Sequence, residues 1–286
     1  MTRKLIVAAA QTGSVDMDRR REIVDAGLAM LDEAAKQGVG LLTFSELFLA
    51  PFFPNRLEEQ FDRYFMTLDD PIVREYIARA AKGGVAMILP VAEKAHEGYF
   101  NAALVVSAQG EILGCYRKTH IPAYFPTEGP GGTGSFEKLY FPPGATLDTY
   151  EVAGARIGIQ ICNDRLYPEA SKVLALKGAE MIVMPICYST YADPGHRASI
   201  WEVPLRARAY ENGVWVLAAN RVGIEGPRHH LGRSMIVDPR GTILAEAGTK
   251  EPELLVREID LDEVERARKK FPWWRDRRPD LYGKLA

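Results

Sequence analysis

Short apolar runs recur along the chain, separated by segments with the spacing of amphipathic helices. The runs lie at 4–11, 39–46, 85–93 and 101–118 in the first half, and at 156–162, 180–188, 214–223 and 233–248 in the second. Nearly continuous apolar character is typical of strands that are covered on both faces of a sheet. The last run of each half has a turn signal in its middle, which predicts a β-hairpin.

Start and stop signals for helices separate these runs. Asp18 is predicted to cap the first helix, which Gly38 ends. Pro71, which follows an aspartate, and Pro168 each stand at the expected first position of a further helix. The helical pattern before residue 213 contains Pro204, which should break or kink it.

The same order of elements occurs twice. We therefore predict an α/β fold built from two similar β-α-β-α-β-β halves. Helices on one side of each sheet would leave the other face bare, and packing the two bare faces together gives a four-layer α-β-β-α sandwich. Residues 1–268 are predicted to form a single domain. Residues 269–286 fit neither half, and their tryptophans and tyrosine among charges predict an arm at a subunit interface.

Composition narrows the class of protein. The chain has 286 residues, of which 47% are apolar, so a substantial core is expected. Its net charge of −2 argues against a surface that coats nucleic acid. Because every apolar run is shorter than roughly 18 residues, no membrane span is expected. Three cysteines without a C-x-x-C spacing favour free thiols and a cytoplasmic location, and the five histidines lack zinc spacing, so no metal is predicted.

Three reactive side chains follow predicted strands. Glu46, Lys118 and Cys162 each stand at a strand end, where reactive groups of α/β sheets collect. Alternatives remain for each of them. Cys162 can be a small apolar residue that finishes a strand, and Lys118 can be an ordinary solvated hairpin end. A purely structural interpretation is less plausible for Glu46, because a carboxylate within an apolar run is rarely buried unless it is paired.

Together the three groups form a consistent site for acyl transfer. A thiol with a pKa near ~8.5 needs a base or a cation to act as a thiolate at neutral pH. A buried carboxylate supplies the base, and a lysine stabilises the developing oxyanion.

Three segments resemble the signature segments of the carbon–nitrogen hydrolase (nitrilase-like) superfamily: "LLTFSEL", "YRKTHIP" and "ICNDRLYPEA". Within it the chain is most similar to amidohydrolases that act on N-carbamoyl amino acids, particularly the D-enantiomers. The resemblance implies that Glu46 is the general base, Cys162 the nucleophile and Lys118 the third member of a triad. It also implies a second glutamate, Glu137. We expect Lys118 and the backbone N–H of Asn163 to hold the oxyanion.

Residues near the cysteine bear on the substrate. Arg165 can form a salt bridge with Asp164 or Glu169, or it can bind a substrate carboxylate, as the resemblance implies. The D-specific enzymes often carry a second arginine where this chain has Leu166, and segment 186–195 also departs from their pattern. His120 is a candidate for lining the pocket, with a hydrogen bond to its own loop as the alternative.

The glycine-rich segment 127–138 lacks the spacing of a phosphate-binding loop, and we interpret it as a loop over the cleft that positions Glu137.

These observations predict an amidohydrolase that converts an N-carbamoyl amino acid to the amino acid, ammonia and carbon dioxide. No metal or organic cofactor is expected. An ω-amidase, an aliphatic amidase or a nitrilase would use the same triad, and a catalytically silent binding module is a further alternative. The predicted partners are a small carbamoyl or amide substrate and further copies of the chain, as a homodimer or homotetramer, with no nucleic acid and no membrane.

Overall fold

The computed structural model describes residues 2–123, 135–190, 192–193, 195–273 and 275–285. Its strands are β1 (Lys4–Gln11), β2 (Leu41–Phe44), β3 (Ala86–Ala95), β4 (Gly98–Val106), β5 (Ile112–Arg117), β6 (Thr149–Val152), β7 (Ala155–Ile159), β8 (Met181–Pro185), β9 (Ser189–Thr190), β10 (Trp215–Ala219), β11 (Val222–Glu225), β12 (Arg228–Leu231), β13 (Met235–Val237), β14 (Ile243–Glu246) and β15 (Glu253–Asp260). Its helices are α1 (Arg20–Lys36), α2 (Pro71–Gly83), α3 (Glu137–Tyr140), α4 (Pro168–Leu176), α5 (Gly195–Ser199), α6 (Glu202–Asn212) and α7 (Glu263–Lys270).

Two six-stranded sheets have matching architectures. The first runs β15-β1-β2-β3-β4-β5, and the second, written in the equivalent direction, runs β6-β7-β8-β10-β13-β14. In each sheet three neighbouring strands are parallel, two further strands are antiparallel on one side, and a single antiparallel strand closes the other side. The predicted pair of similar halves is therefore confirmed.

Three apolar clusters separate four layers. The central cluster lies between the sheets and contains side chains from both, such as Val7 and Ile88 of the first and Ile157 and Val183 of the second. A second cluster packs α1 and α2 against the outer face of the first sheet. A third packs α4 and α6 against the outer face of the second. This arrangement confirms the predicted α-β-β-α sandwich, and it explains the apolar runs, because both faces of each sheet are covered.

Several element boundaries differ from the predictions. The side chain that caps the first helical turn is Asp16, not Asp18, and it accepts a hydrogen bond from the Asp18 N–H at 3.0 Å. Pro204 lies in the first turn of α6, where a backbone N–H would have no acceptor within the helix. The helical region is broken before this turn, between α5 and α6. The sequence patterns missed β6, β15 and a small sheet in which β12 lies between β11 and β9.

The start of the C-terminal segment packs on the second half. Phe271 and Trp273 stack with their ring centroids 5.2 Å apart, and the Trp273 ring lies 5.6 Å from that of Tyr210 on α6. The role of this segment as an arm at a subunit interface stays a prediction. Among the described residues, no helix has both the length and the apolar character that a membrane span requires.

Candidate active site

Lys118 lies between two carboxylates in the interior. Directly after β5, its side chain is buried, with Nζ 2.8 Å from Glu46 Oε1 and 2.6 Å from Glu137 Oε2. Burial alone would lower the pKa of Lys118, but the carboxylates of Glu137 and Glu46 raise it well above its usual range. Burial raises the pKa of Glu137 to about 7, although Lys118 opposes this shift. The lysine is therefore an ammonium at neutral pH.

Both oxygens of Glu46 are held by neighbouring groups. The residue follows β2 and is fully buried. Asn101 Nδ2 donates to Oε1 at 2.7 Å, and the backbone N–H of Cys187 donates to Oε2 at 3.1 Å. Because Lys118 also contacts Oε1, the carboxylate has a fixed orientation.

Cys162 stands at the turn that follows β7. Its backbone has a φ of 48°, in the left-handed region that is costly for residues other than glycine. A 3₁₀ turn (Cys162–Leu166) then leads into α4, so the thiol stands at a strand-to-helix corner. Burial and the nearby Glu46 raise the pKa of Cys162 to about 12, although Lys118 and Arg165 oppose this shift. The resting sulfur is thus a thiol, with a carboxylate nearby to take its proton.

Asp164 fixes this turn. Its carboxylate accepts hydrogen bonds from the Ile161 N–H at 2.9 Å, the Tyr116 hydroxyl at 2.8 Å and the His120 N–H at 2.8 Å. The His120 ring also bonds Asp164 through Nδ1 at 2.9 Å and stacks on Tyr167. Among the described residues, those lining the cavity beside Cys162 do not include His120. The role of His120 in substrate binding stays a prediction, and its observed hydrogen bonds join its loop to the turn that carries Asp164.

Asn163 lines the cavity and also braces the same loop. Its side-chain Nδ2 donates to the backbone carbonyl of His120 at 2.9 Å.

Arg165 is buried, and within the described part of the chain it forms no salt bridge with Asp164, Glu169 or another carboxylate. Its Nη1 donates to the Cys162 carbonyl at 2.6 Å, and its guanidinium carbon lies 5.1 Å and 5.6 Å from the ring centroids of Tyr188 and Trp201. Its Nε is buried without a hydrogen-bond partner among these residues. Arg165 therefore brings an unsatisfied buried donor to the lining of the cavity beside Cys162.

A cavity of about 290 Å³ opens beside these groups. Its lining residues are Phe52, Pro122, Ser135, Glu137, Cys162, Asn163, Arg165, Leu166, Cys187, Tyr188, Ser189, Arg197 and Arg228. Glu46 and Lys118 lie buried behind this surface. Arg197 and Arg228 were missed by the sequence reasoning, because α5 and β12 reach the cavity only through the tertiary fold. Segment 186–195, noted for its departure from the related enzymes, contributes three lining residues, whereas Tyr191 and Pro194 lie outside the described residues.

A second missed feature is a buried network behind Glu46. Arg221 Nη2 donates to the carbonyls of Glu46, Leu47 and Ala50 at 3.1, 2.7 and 3.0 Å, and Nη1 contacts Glu225 Oε1 at 2.5 Å. Glu225 Oε2 lies 3.3 Å from His230 Nε2. Arg221 offsets the burial of Glu225, and the pKa of this carboxyl lies well below its usual range. Arg221 therefore anchors the turn that carries the predicted base.

The glycine-rich loop prediction falls largely on residues 124–134, which lie outside the described residues. At the described end of this segment, Ser135 Oγ donates to Glu137 Oε1 at 3.2 Å. The described residues contain no cluster of three or more histidine, cysteine or acidic side chains suited to a metal ion.

Comparison with known proteins identifies the family. The sequence profile of carbon-nitrogen hydrolases matches residues 6–269. The chain belongs to the carbon–nitrogen hydrolase family. As a member of this family, it is a hydrolase that acts on carbon–nitrogen bonds.

Relatives and solved structures agree with this membership. The chain is 34% identical over 295 aligned positions to the N-carbamoylputrescine amidase of Solanum tuberosum, covering 99% of this chain and 95% of the relative. It is 32% identical to the citrullinase of Francisella tularensis, with 89% of each chain covered. A carbon–nitrogen hydrolase structure from Helicobacter pylori G27 superimposes with a TM-score of 0.88 at 30% identity, covering 99% of this chain and 98% of the other.

Proposed function

We propose that this carbon–nitrogen hydrolase cleaves the carbamoyl C–N bond of an N-carbamoyl amino acid, giving the amino acid, ammonia and carbon dioxide. Glu46, Lys118 and Cys162 are the proposed catalytic residues, with Glu137 as the second carboxylate on Lys118. The observation that carries the proposal is the buried Arg165 beside Cys162, whose Nε has no partner among the described residues. An arginine with a free edge binds a carboxylate bidentately.

The reaction begins with proton transfer. Glu46 takes the Cys162 proton as the sulfur attacks the carbamoyl carbon, which matches a thiol whose pKa is raised to about 12. The Lys118 ammonium and the Asn163 N–H stabilise the oxyanion. Collapse of the adduct breaks the C–N bond, and ammonia leaves with a proton returned by Glu46. A water activated by Glu46 then hydrolyses the S-carbamoyl adduct, and the N-carboxy product loses carbon dioxide to give the amino acid.

Charge in the cavity argues for an anionic substrate. Arg165, Arg197 and Arg228 all line it, whereas Glu137, the acidic residue among its described lining, is paired with Lys118. N-carbamoylputrescine, for which one group of relatives is named, ends in an ammonium, which the guanidinium groups of Arg165 and Arg197 would repel. N-carbamoylputrescine and the proposed N-carbamoyl amino acid share the carbamoyl group that is cleaved.

The test compares substrates of matched size. We expect kcat/KM for N-carbamoyl amino acids to exceed that for N-carbamoylputrescine by at least about 100-fold, the size typical of losing a buried charge pair. Amides and nitriles of the same carbon skeleton complete the panel. Preferred turnover of neutral amides or nitriles would replace the proposal with the amidase or nitrilase alternative.

Arg165→Lys tests the carboxylate contact directly. One ammonium cannot reproduce a bidentate fork, so kcat/KM for carboxylated substrates should fall at least about 30-fold. Neutral amides should lose much less. Equal losses for both kinds of substrate would mean that Arg165 only supports the turn through its bond to the Cys162 carbonyl.

A further inference from the structure

We propose that Arg197 forms a second carboxylate-binding group in the cavity, so that the substrate is an N-carbamoyl amino dicarboxylic acid. This inference rests on the proposed function and narrows its substrate class. Arg165 would bind the carboxylate next to the scissile carbamoyl group, and Arg197 would bind the carboxylate of the side chain.

Contacts within the described part of the chain involve the Nε of Arg197 and the face of its guanidinium. Its Nε donates to the Ser189 carbonyl at 3.1 Å, and its guanidinium carbon lies 4.4 Å from the Tyr188 ring centroid. Among the described residues it pairs with no carboxylate, although it is half-buried and lines the cavity. Nη1 and Nη2 at the end of a guanidinium form a fork that matches a carboxylate.

Tyr188 holds the two arginines in a defined relation. Both guanidinium carbons lie within 5.1 Å of the centroid of this one ring. The ring is itself fixed, because its hydroxyl donates to the Arg197 carbonyl at 2.9 Å and it packs on Trp201. The two guanidinium carbons are therefore no more than about 9.5 Å apart. We infer that the two carboxylates of an aspartate or glutamate derivative can each contact one of these guanidinium groups.

The balance of charge favours two carboxylates over one. A monocarboxylate bound at Arg165 would leave the positive charge of Arg197 at the same cavity. Desolvating a cation as the substrate fills the cavity costs free energy unless an anion accompanies it. A second carboxylate supplies that anion.

The experiment compares N-carbamoyl-aspartate and N-carbamoyl-glutamate with the isosteric N-carbamoyl-asparagine and N-carbamoyl-glutamine, in both enantiomers. Release of the free amino acid is measured as new primary amine, because a side-chain amide is itself a source of ammonia. We expect kcat/KM for the dicarboxylates to be at least about tenfold higher than for their isosteres, the effect of one charge-assisted contact.

Arg197→Met should lower this ratio at least about tenfold, and Arg197→Lys should retain part of it as a single cation. Arg74→Met is the matched control, because this exposed arginine of α2 lies outside the site, and it should keep the wild-type ratio. Thermal unfolding of each variant checks that it is folded.

The outcomes separate the two proposals. If the dicarboxylates and their isosteres are hydrolysed equally well by the wild type, the second subsite is refuted and the proposed function stands. An Arg197→Met variant that loses both kinds of substrate in the same proportion also refutes the subsite. If no N-carbamoyl amino acid is hydrolysed while simple amides are, the proposed function itself fails.

Discussion

At the scale of single residues, burial determines the charges of the site. Lys118 stays charged because two carboxylates compensate for the loss of water around it, and Cys162 stays protonated because nothing comparable compensates its thiolate. The proton must therefore move during the reaction rather than before it. These charge states agree with the roles that the sequence predicts for Glu46, Lys118 and Cys162.

Cys162→Ala should abolish turnover and leave the thermal unfolding temperature within a few degrees of wild type, since only one atom is removed, from a residue that lines the cavity. Cys115→Ala is the control. Its sulfur lies 3.9 Å from Glu93, and it should retain most of the activity. Steady-state ammonia release measures the turnover of both variants. Turnover by the alanine variant at more than about one thousandth of the wild-type rate would contradict the thiol mechanism.

The raised pKa of Glu137 predicts that activity falls at acidic pH. Its pKa of about 7 means that it is ionised and paired with Lys118 above pH 7, and neutral below it. We expect kcat/KM to fall as the pH drops below about 7 and to stay level on the alkaline side, because the pKa of Lys118 lies well above its usual range. Glu137→Gln should have lower activity without this fall at acidic pH. If the fall in kcat/KM at acidic pH persists unchanged in Glu137→Gln, the titrating group is not Glu137.

At the scale of elements, the turn after β2 is maintained by a residue from a distant strand connection. Leu47, next to the predicted base, has a φ of 51°, which is unfavourable for a leucine. Arg221 compensates by donating to the carbonyls on both sides of this turn. We infer that Arg221 is a positioning residue for Glu46.

Arg221→Met should lower kcat at least about tenfold with a smaller change in KM, because the base is displaced while the cavity arginines remain. It should also lower the free energy of unfolding by about 3–5 kcal/mol, since Glu225 is left buried without its cation. Chemical denaturation and steady-state kinetics measure the two effects.

The double variant Arg221→Met/Glu225→Gln separates stability from positioning. It removes the uncompensated charge, so part of the stability should return while kcat stays low. Recovery of kcat together with stability would show that Arg221 acts only on folding.

The sequence predicted the elements whose signals are local. The strand ends that carry Glu46, Lys118 and Cys162 follow from apolar runs, and the capping signals at Pro71 and Pro168 each lie within one turn of the helix they begin. It could not predict β15, whose partner β1 lies some 250 positions away, or the contact between Arg221 and Glu46 across 175 positions. Such contacts depend on how the sheets pack, which a local pattern does not contain.

At the scale of the whole molecule, the second half presents a partly apolar outer surface. Leu176 of α4, and Val203 and Tyr210 of α6, are exposed, and Trp273 of the C-terminal segment is 43% exposed beside Tyr210. Exposed aromatic and aliphatic groups of this kind are costly in water and favoured at interfaces. They support the prediction that the protein works as a homo-oligomer with its C-terminal arm at the contact.

Deletion of residues 271–286 should lower both the molar mass measured by light scattering and the specific activity. The physical reason is the loss of the Phe271 and Trp273 contacts on α6, which adjoin the apolar surface. Leu139→Ser, which alters an exposed apolar residue of α3 elsewhere, is the control and should keep the wild-type mass. A full-length protein that is monomeric at micromolar concentration, or a truncation that keeps its assembly and activity, would refute the prediction.

The pairing of β15 with β1 has a consequence for biosynthesis. On one side, the eight residues Lys4–Gln11 pair with Glu253–Asp260, so this edge of the first sheet stays open until most of the chain has left the ribosome. We expect a nascent chain halted at residue 250 to aggregate or to be held by chaperones, and one halted well beyond residue 260 to resist protease. Equal protease resistance of the two would mean that the sheet matures without its last strand. We therefore expect the pairing of β15, the last strand to be made, to be the step that ends the exposure of this edge.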